Sequence, residues 1–265
     1  MMYASDLFAG QVCLVTGGGS GIGYAIAQAY LRCGATVIIA SRKAERLETA
    51  QKQLAELGPV HARVLDIREP EQGDELAAWI GQTFGKLDVL VNNAGGQFPS
   101  AAADISRKGW DAVIRNNLNG TWYLTQTMAK AFFLPRCEGN IVNIIANVFR
   151  GFPGMAHTGA ARAGVENLTK SLAVEWAPYR IRINAVAPGI IQSTGLDQYP
   201  PSLLQGITAK IPMKRLGSTS EVADTCLFLS SPLSAYMTGE TLYLDGGMRL
   251  WGDIWEVPSL QTPSV

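Results

Sequence analysis

Only two histidines and four cysteines occur in this chain of 265 residues, and Cys13, Cys33, Cys137 and Cys226 stand far apart with no CxxC pair among them. A zinc site has too few ligands and a disulfide framework has no pattern, so no metal is expected. Neither sign of charge is in excess, Lys plus Arg and Asp plus Glu numbering 22 each. That balance argues against nucleic acid or an anionic membrane surface as a partner, and any acidic ligand must be held by local groups. Long apolar runs are missing too: nowhere do the roughly 18 apolar residues of a spanning helix stand together. Met1 to Gly10 lacks the basic-then-apolar order of a secretory leader, and the final PSV is not an SKL-type peroxisomal address. The thiols read as reduced and the expected location is cytoplasmic.

What is present is a core-forming composition, 47% hydrophobic and 17% charged with 28 glycines. Short β-branched apolar runs alternate with longer amphipathic stretches, the pattern of βαβ units building a parallel sheet. Strands are expected at Val12 to Thr16, Thr36 to Ala40, Ala62 to Leu65, Val89 to Asn92, Asn140 to Ile145, Ile181 to Ala187 and Leu242 to Leu244. Helical spacing covers Gly23 to Cys33, Ala44 to Leu57, Glu71 to Phe84, Ser106 to Phe133, Met155 to Trp176 and Ser220 to Ser230. Right-handed crossovers then give an α/β fold: one doubly wound Rossmann-type domain over 1–265, a seven-stranded parallel sheet with helices on both faces. The irregular stretch 188–212 is a candidate substrate lid, or else a surface insertion. The aromatic tail 251–265 is a candidate for packing on a neighbouring subunit.

VCLVTGGGSGIG, Val12 to Gly23, is a buried strand, a glycine-rich turn and a helix start whose amides can face a pyrophosphate. The candidate cradle is Gly17, Gly19, Ser20, Gly21, Ile22 and Gly23. At the end of the second strand, where a carboxylate would hold the ribose hydroxyls of NAD, stand Ser41, Arg42 and Lys43. A serine and two cations suit the extra phosphate of NADP(H); the other reading is a solvated basic helix start. Asp66 ends the third strand and NNAG, Asn92 to Gly95, the fourth, so all fall on the carboxyl edge of one sheet.

TGGGSGIG, Asp66, NNAG, NNLNG with Asn117, and the pair Pro188 and Gly189 resemble the short-chain dehydrogenase/reductase family over most of the chain. The resemblance implies that Asp66 and Ile67 contact the adenine, that Asn93, Ala94 and Gly95 line the cofactor, and that Pro188, Gly189, Ile191 and Thr194 close over the nicotinamide. It also implies a homotetramer built through Ser106 to Phe133 and Met155 to Trp176. Asn117 resembles the family's asparagine that holds a water in a proton path; a helix kink or cap is the other reading.

The family places a tyrosine and, four residues on, a lysine on the helix after the fifth strand, with a serine at that strand's end. Here ARAGV aligned on SKAGV puts Thr158 at the tyrosine and Arg162 at the lysine, and Ile145, Ala146 and Asn147 stand in place of the serine. A threonine hydroxyl does not exchange a proton near neutrality as a phenol beside a cation does, and arginine stays protonated. Arg162 is a donor toward the nicotinamide ribose and the reacting atoms, or the partner of Glu166 four residues on. His157 is a candidate acid, or a part-buried helix-start residue. NNAGGQFPS, ISRKGWDAV, HTGAARAGVENLTKSLAVEW and the late EVP resemble the peroxisomal trans-2-enoyl-CoA reductase branch, relatives of the 2,4-dienoyl-CoA reductases. Phe149 is the nearest aromatic to the position of the dienoyl reductases' own tyrosine. The expected substrate is therefore a small molecule, an enoyl thioester. The alternatives are a ketone or cyclic enone, or binding of the cofactor without catalysis.

Overall fold

The computed structural model describes residues 3–198 and 206–250. In chain order they form β1 Val12–Thr16, α1 Gly21–Arg32, β2 Thr36–Ser41, α2 Ala44–Leu54, β3 Val60–Val64, α3 Pro70–Phe84, β4 Val89–Asn92, α4 Arg107–Ile114, α5 Gly120–Met128, β5 Gly139–Ile144, α6 Ala156–Trp176, β6 Ile181–Pro188, α7 Thr219–Ser230 and β7 Thr241–Leu244. The seven strands make one sheet in the order β3-β2-β1-β4-β5-β6-β7, every pair parallel. The order reverses between β1 and β4, and at such a switch point the carboxyl ends of the strands open a crevice.

The central strands β1 and β4 are almost wholly apolar and buried because both faces are covered, whereas the edge strand β3 is part-exposed. Alternate residues serve opposite layers: Cys13, Val15, Val37, Ile39 and Val91 pack with Ile26, Leu31 and Leu227 on one side, and Leu14, Ile38, Leu90 and Ile183 with Leu76, Ile80 and Leu124 on the other. Each fully buried aliphatic side chain contributes about 1.5–3 kcal/mol. α7 starts on a complete capping box, the Ser218 side chain accepting from Glu221 N–H and the Glu221 carboxylate from Ser218 N–H. Among the described residues no helix is long and apolar enough to cross a membrane, and no group of three or more His, Cys, Asp or Glu could hold a metal.

Two expectations need correction. The single helix over Ser106 to Phe133 is interrupted by π-helical turns at Arg115–Asn119 and Ala129–Phe133. Hydrophobic period alone does not reveal such inserted residues, which cluster at functional sites. Of the segment 188–212, the described parts are more regular than a loop: Ile191–Gln192 pairs in parallel with Gly217–Ser218, and 3-10 turns form at Thr194–Gln198 and Ile207–Lys210. The centre of that segment, 199–205, and the tail 251–265 lie outside the described residues.

Candidate active site

A cavity of about 1510 Å³ runs along the carboxyl ends of β1, β2, β4, β5 and β6. Its floor is the glycine turn. Gly17 (φ +67°) and Gly21 (φ +55°) hold left-handed backbone that other residues adopt only at a cost. Gly23 is required for a second reason, since a Cβ there would stand 2.3 Å from the Gly17 carbonyl oxygen. Gly19, Ser20, Gly21 and Ile22 face the cavity, and no side chain caps α1, which leaves its first amides for an anion. This open cradle fits a dinucleotide pyrophosphate. The NNAG segment is tied to it: Thr16 Oγ1 accepts from the N–H groups of Asn93 and Ala94 (both 2.9 Å), and Asn93 Nδ2 donates to the Thr16 carbonyl (2.9 Å). Asn93 is thus a brace as well as a lining residue.

At the β2 end the cavity is lined by Ser41, Arg42 and Lys43, and also by Arg46 and Thr49, which the motif reading missed. Arg46 stands in the first turn of α2, which starts at Ala44, so the helix brings it to this end and the strand-end motif did not reveal it. Among the described residues none of these three cations is paired with a carboxylate. Asp66 and Ile67 line the same end, but the Asp66 carboxylate is gripped by Arg68 Nε at 2.8 and 3.1 Å. Those hydrogen bonds, with the field of Arg42, hold it below the usual carboxylate range.

At the β5–β6 end the four catalytic candidates separate. Arg162 lines the cavity; His157, Thr158 and Asn117 are buried behind its wall. The Thr158 hydroxyl lies 3.3 Å from His157 Nδ1, and the imidazole packs edge-on against Phe98. Asn117 donates from Nδ2 to the carbonyls of Gly96 (2.7 Å) and Val113 (2.9 Å) and accepts at Oδ1 from Gly96 N–H (3.2 Å). It clasps the Gly95–Gly96 turn from within the π-helical turn.

Arg162 is only 8% exposed. Its Nη1 donates to the Ile144 carbonyl (3.0 Å), and its Nε has no partner. The ion pair with Glu166 does not form, because Glu166 accepts from Lys170 at 3.0 Å; a glutamate N-terminal to lysine at i,i+4 is the better-oriented pair. Burial brings the guanidinium pKa down to about 10, so the group remains charged at neutral pH. A buried cation without a counterion is costly, and a ligand oxygen would relieve it. Among the described residues no tyrosine or histidine lines the cavity, and its only carboxylic acids are Glu45 and Asp66. Pro188, Gly189, Ile191 and Thr194 also line it, beside an apolar wall of Phe152, Met155, Ile190, Leu196, Ile207 and Met248.

A parallel sheet of this order with an open glycine cradle at its switch point defines a dinucleotide-binding α/β domain of the Rossmann kind. The chain belongs to the short-chain dehydrogenase/reductase family, a family model described as enoyl-(acyl carrier protein) reductase matching residues 17–249. It is 38% identical to the 3-oxoacyl-[acyl-carrier-protein] reductase FabG of Thermotoga maritima over 90% of this chain and 98% of that protein. It is equally, 38%, identical to the peroxisomal 2,4-dienoyl-CoA reductase [(3E)-enoyl-CoA-producing] of Pongo abelii, over 94% of this chain and 87% of that one. Among solved structures, the citronellol catabolism dehydrogenase of Pseudomonas aeruginosa matches with a TM-score of 0.85 and 41% identity, covering 94% of this chain and 98% of that chain. An actinorhodin polyketide ketoreductase with NADPH matches with a TM-score of 0.87 and 32% identity, covering 94% and 100%.

Proposed function

We propose that this protein is an NADP(H)-dependent reductase of the carbon–carbon double bond of trans-2-enoyl thioesters. The observation that carries the reading is Arg162: a buried, unpaired guanidinium in a cavity whose described lining holds no phenol. The nicotinamide, when bound, supplies the hydride. Addition at the β-carbon of an enoyl thioester leaves an enolate, whose charge rests on the thioester oxygen. Arg162 holds that oxygen through a fixed, desolvated donor, which needs no reorganisation as the charge develops. The α-carbon takes its proton from water. Reduction of a simple ketone would instead need an acid at the nascent alkoxide, and the described lining offers none near Arg162. Relatives named as dienoyl-CoA reductases support the thioester. The apolar wall of Phe152, Met155, Leu196 and Ile207 supports an acyl chain.

The purified protein and NADPH, tested against crotonyl-CoA, a longer enoyl-CoA, a 3-oxoacyl thioester, a simple ketone and, with NADP+, a secondary alcohol, are expected to show turnover on the enoyl thioesters. Brisk alcohol oxidation or ketone reduction without enoyl reduction would overturn the mechanism. Tight cofactor binding with no turnover on any arm would favour a binding protein.

Preference for NADP(H) rests on Ser41, Arg42, Lys43 and Arg46 at the β2 end, where the strand closes on Ser41 in place of the carboxylate that would take a ribose diol, and where the lining cations outnumber the lining carboxylates Glu45 and Asp66. Arg42→Ala is expected to weaken NADPH binding by about 1.5–3 kcal/mol, the scale of a hydrogen bond to a charged group, and to leave NADH nearly unchanged. Fluorescence titration of both reduced cofactors checks this, and equal or tighter binding of NADH by the unmutated protein would sink it.

A further inference from the structure

One buried carboxylate ties the end of β5 to the end of β7 and aims an amide into the cavity. Asp245, 8% exposed, accepts from Gly247 N–H at Oδ1 (2.9 Å), and from Arg249 N–H (2.8 Å) and Asn147 Nδ2 (2.9 Å) at Oδ2. An ionised carboxylate only accepts, so the nitrogen of the Asn147 amide, not its oxygen, must face it. The side chain is thereby locked in one sense. Among the described residues one Nδ2 hydrogen goes to Asp245 and the second meets no acceptor, while Oδ1 takes a long contact from Phe149 N–H (3.4 Å). Gly189, just past β6, the strand between β5 and β7, lets the end of β7 come in this closely: a Cβ there would meet the Asp245 Cα at 2.8 Å.

Asn147 lines the cavity, and it follows by three residues Ile144, whose carbonyl seats Arg162. Its neighbours on that wall, Ile145, Ala146, Ile190 and Met248, are apolar. The site therefore holds a neutral donor of fixed orientation on the stretch that follows the arginine's anchor. We propose that Asn147 gives its second Nδ2 hydrogen to the substrate carbonyl, sharing the developing negative charge with Arg162, and that Asp245 is the positioning residue that holds the amide ready. The motif reading held Asn147 only as one of three residues in place of the family's serine, and it did not single out Asp245. This inference rests on the proposed thioester substrate, since it needs a carbonyl conjugated to the reduced bond.

Two measurements on the holoenzyme test it. In the first, Asn147→Ala is expected to lower kcat roughly tenfold to a hundredfold, the scale of a lost hydrogen bond to charge, with NADPH affinity held within about twofold. Asn147→Ser, which keeps a donor, should recover part of the loss. Asp245→Asn should lower kcat in the parent protein and add little to Asn147→Ala, because it acts through that amide. In the second, infrared difference spectra of butyryl-CoA carrying a ¹³C carbonyl, bound with NADP+, should place the carbonyl band at higher wavenumber in Asn147→Ala than in the parent protein. An unmoved band with unchanged kcat overturns the assignment. Equal damage by Asp245→Asn in both backgrounds overturns the positioning role and leaves Asp245 a brace between strands. If the parent protein shows no bound-thioester band, the thioester reading itself fails and this inference falls with it. A parent band that ignores Asn147 sinks the inference alone.

Discussion

Replacing Arg162 with alanine is expected to cut turnover on an enoyl thioester on the order of 100- to 1000-fold, the scale seen when one preorganised donor to a developing oxyanion is removed. The size follows from the surroundings. The guanidinium is buried, has no carboxylate partner and leaves Nε without an acceptor, so little water is present to take over its work. Stability should not fall in step: deleting an uncompensated buried charge removes a desolvation cost along with one hydrogen bond to Ile144. Glu166→Ala provides the contrast. Its pair with Lys170 lies on the exposed side of α6, where such pairs are worth about 0.3–0.5 kcal/mol, and turnover should stay near the parent value. Arg162→Lys is not a neutral exchange, because a point charge loses the planar fork that reaches Ile144 and the cavity together. Steady-state kinetics beside thermal melts of the three variants decide the matter. Arg162→Ala and Glu166→Ala behaving alike would return Arg162 to a structural role.

The features legible in the sequence share a physical basis in local pattern. Parallel strands buried on both faces read as unbroken β-branched runs, so β1 and β4 were recognisable to the residue, and β2, β5 and β6 to within one. The cradle was legible because Gly17 and Gly21 need positive φ and Gly23 needs close backbone approach. What local pattern could not carry is reach and depth. Thr158 and Arg162 are four residues apart on α6, so they share a face. Yet threonine ends two atoms beyond its Cα and stays buried, whereas arginine extends far enough to bring its head to the cavity. Asp66 was readable as a strand-end carboxylate, but its capture by Arg68 depends on the turn between them. Asn147 and Asp245 are 98 residues apart; they become partners only because β5 and β7, parallel and separated by β6 alone, end on the same edge of the sheet.

Gly95→Ala is expected to disable the reaction nearly as fully as loss of Arg162 itself, while Gly96→Ala is tolerated. A Cβ on Gly95 would stand 2.2 Å from Arg162 Nη2 and 2.6 Å from Asn117 Oδ1. Neither neighbour can step aside without undoing something: Arg162 is anchored on the Ile144 carbonyl and Asn117 on the backbone of Gly96. Overpacking of this kind costs about 1–3 kcal/mol, which a domain with two large apolar layers survives. The guanidinium, as the longer and freer of the two, is the group that moves. Catalysis depends on placement within about 0.5 Å, so the folded variant should bind NADPH through the β2 end and turn over poorly. At Gly96 the added methyl would meet only Asn116 Nδ2, at 3.3 Å, the tip of a side chain that can yield. Thermal melts, NADPH titration and enoyl-thioester kinetics on the pair give the answer. A Gly95→Ala protein with parent-like kcat would show that the guanidinium need not stand against this turn, and with it the assignment of Arg162 to the reacting oxygen would lose its geometric ground.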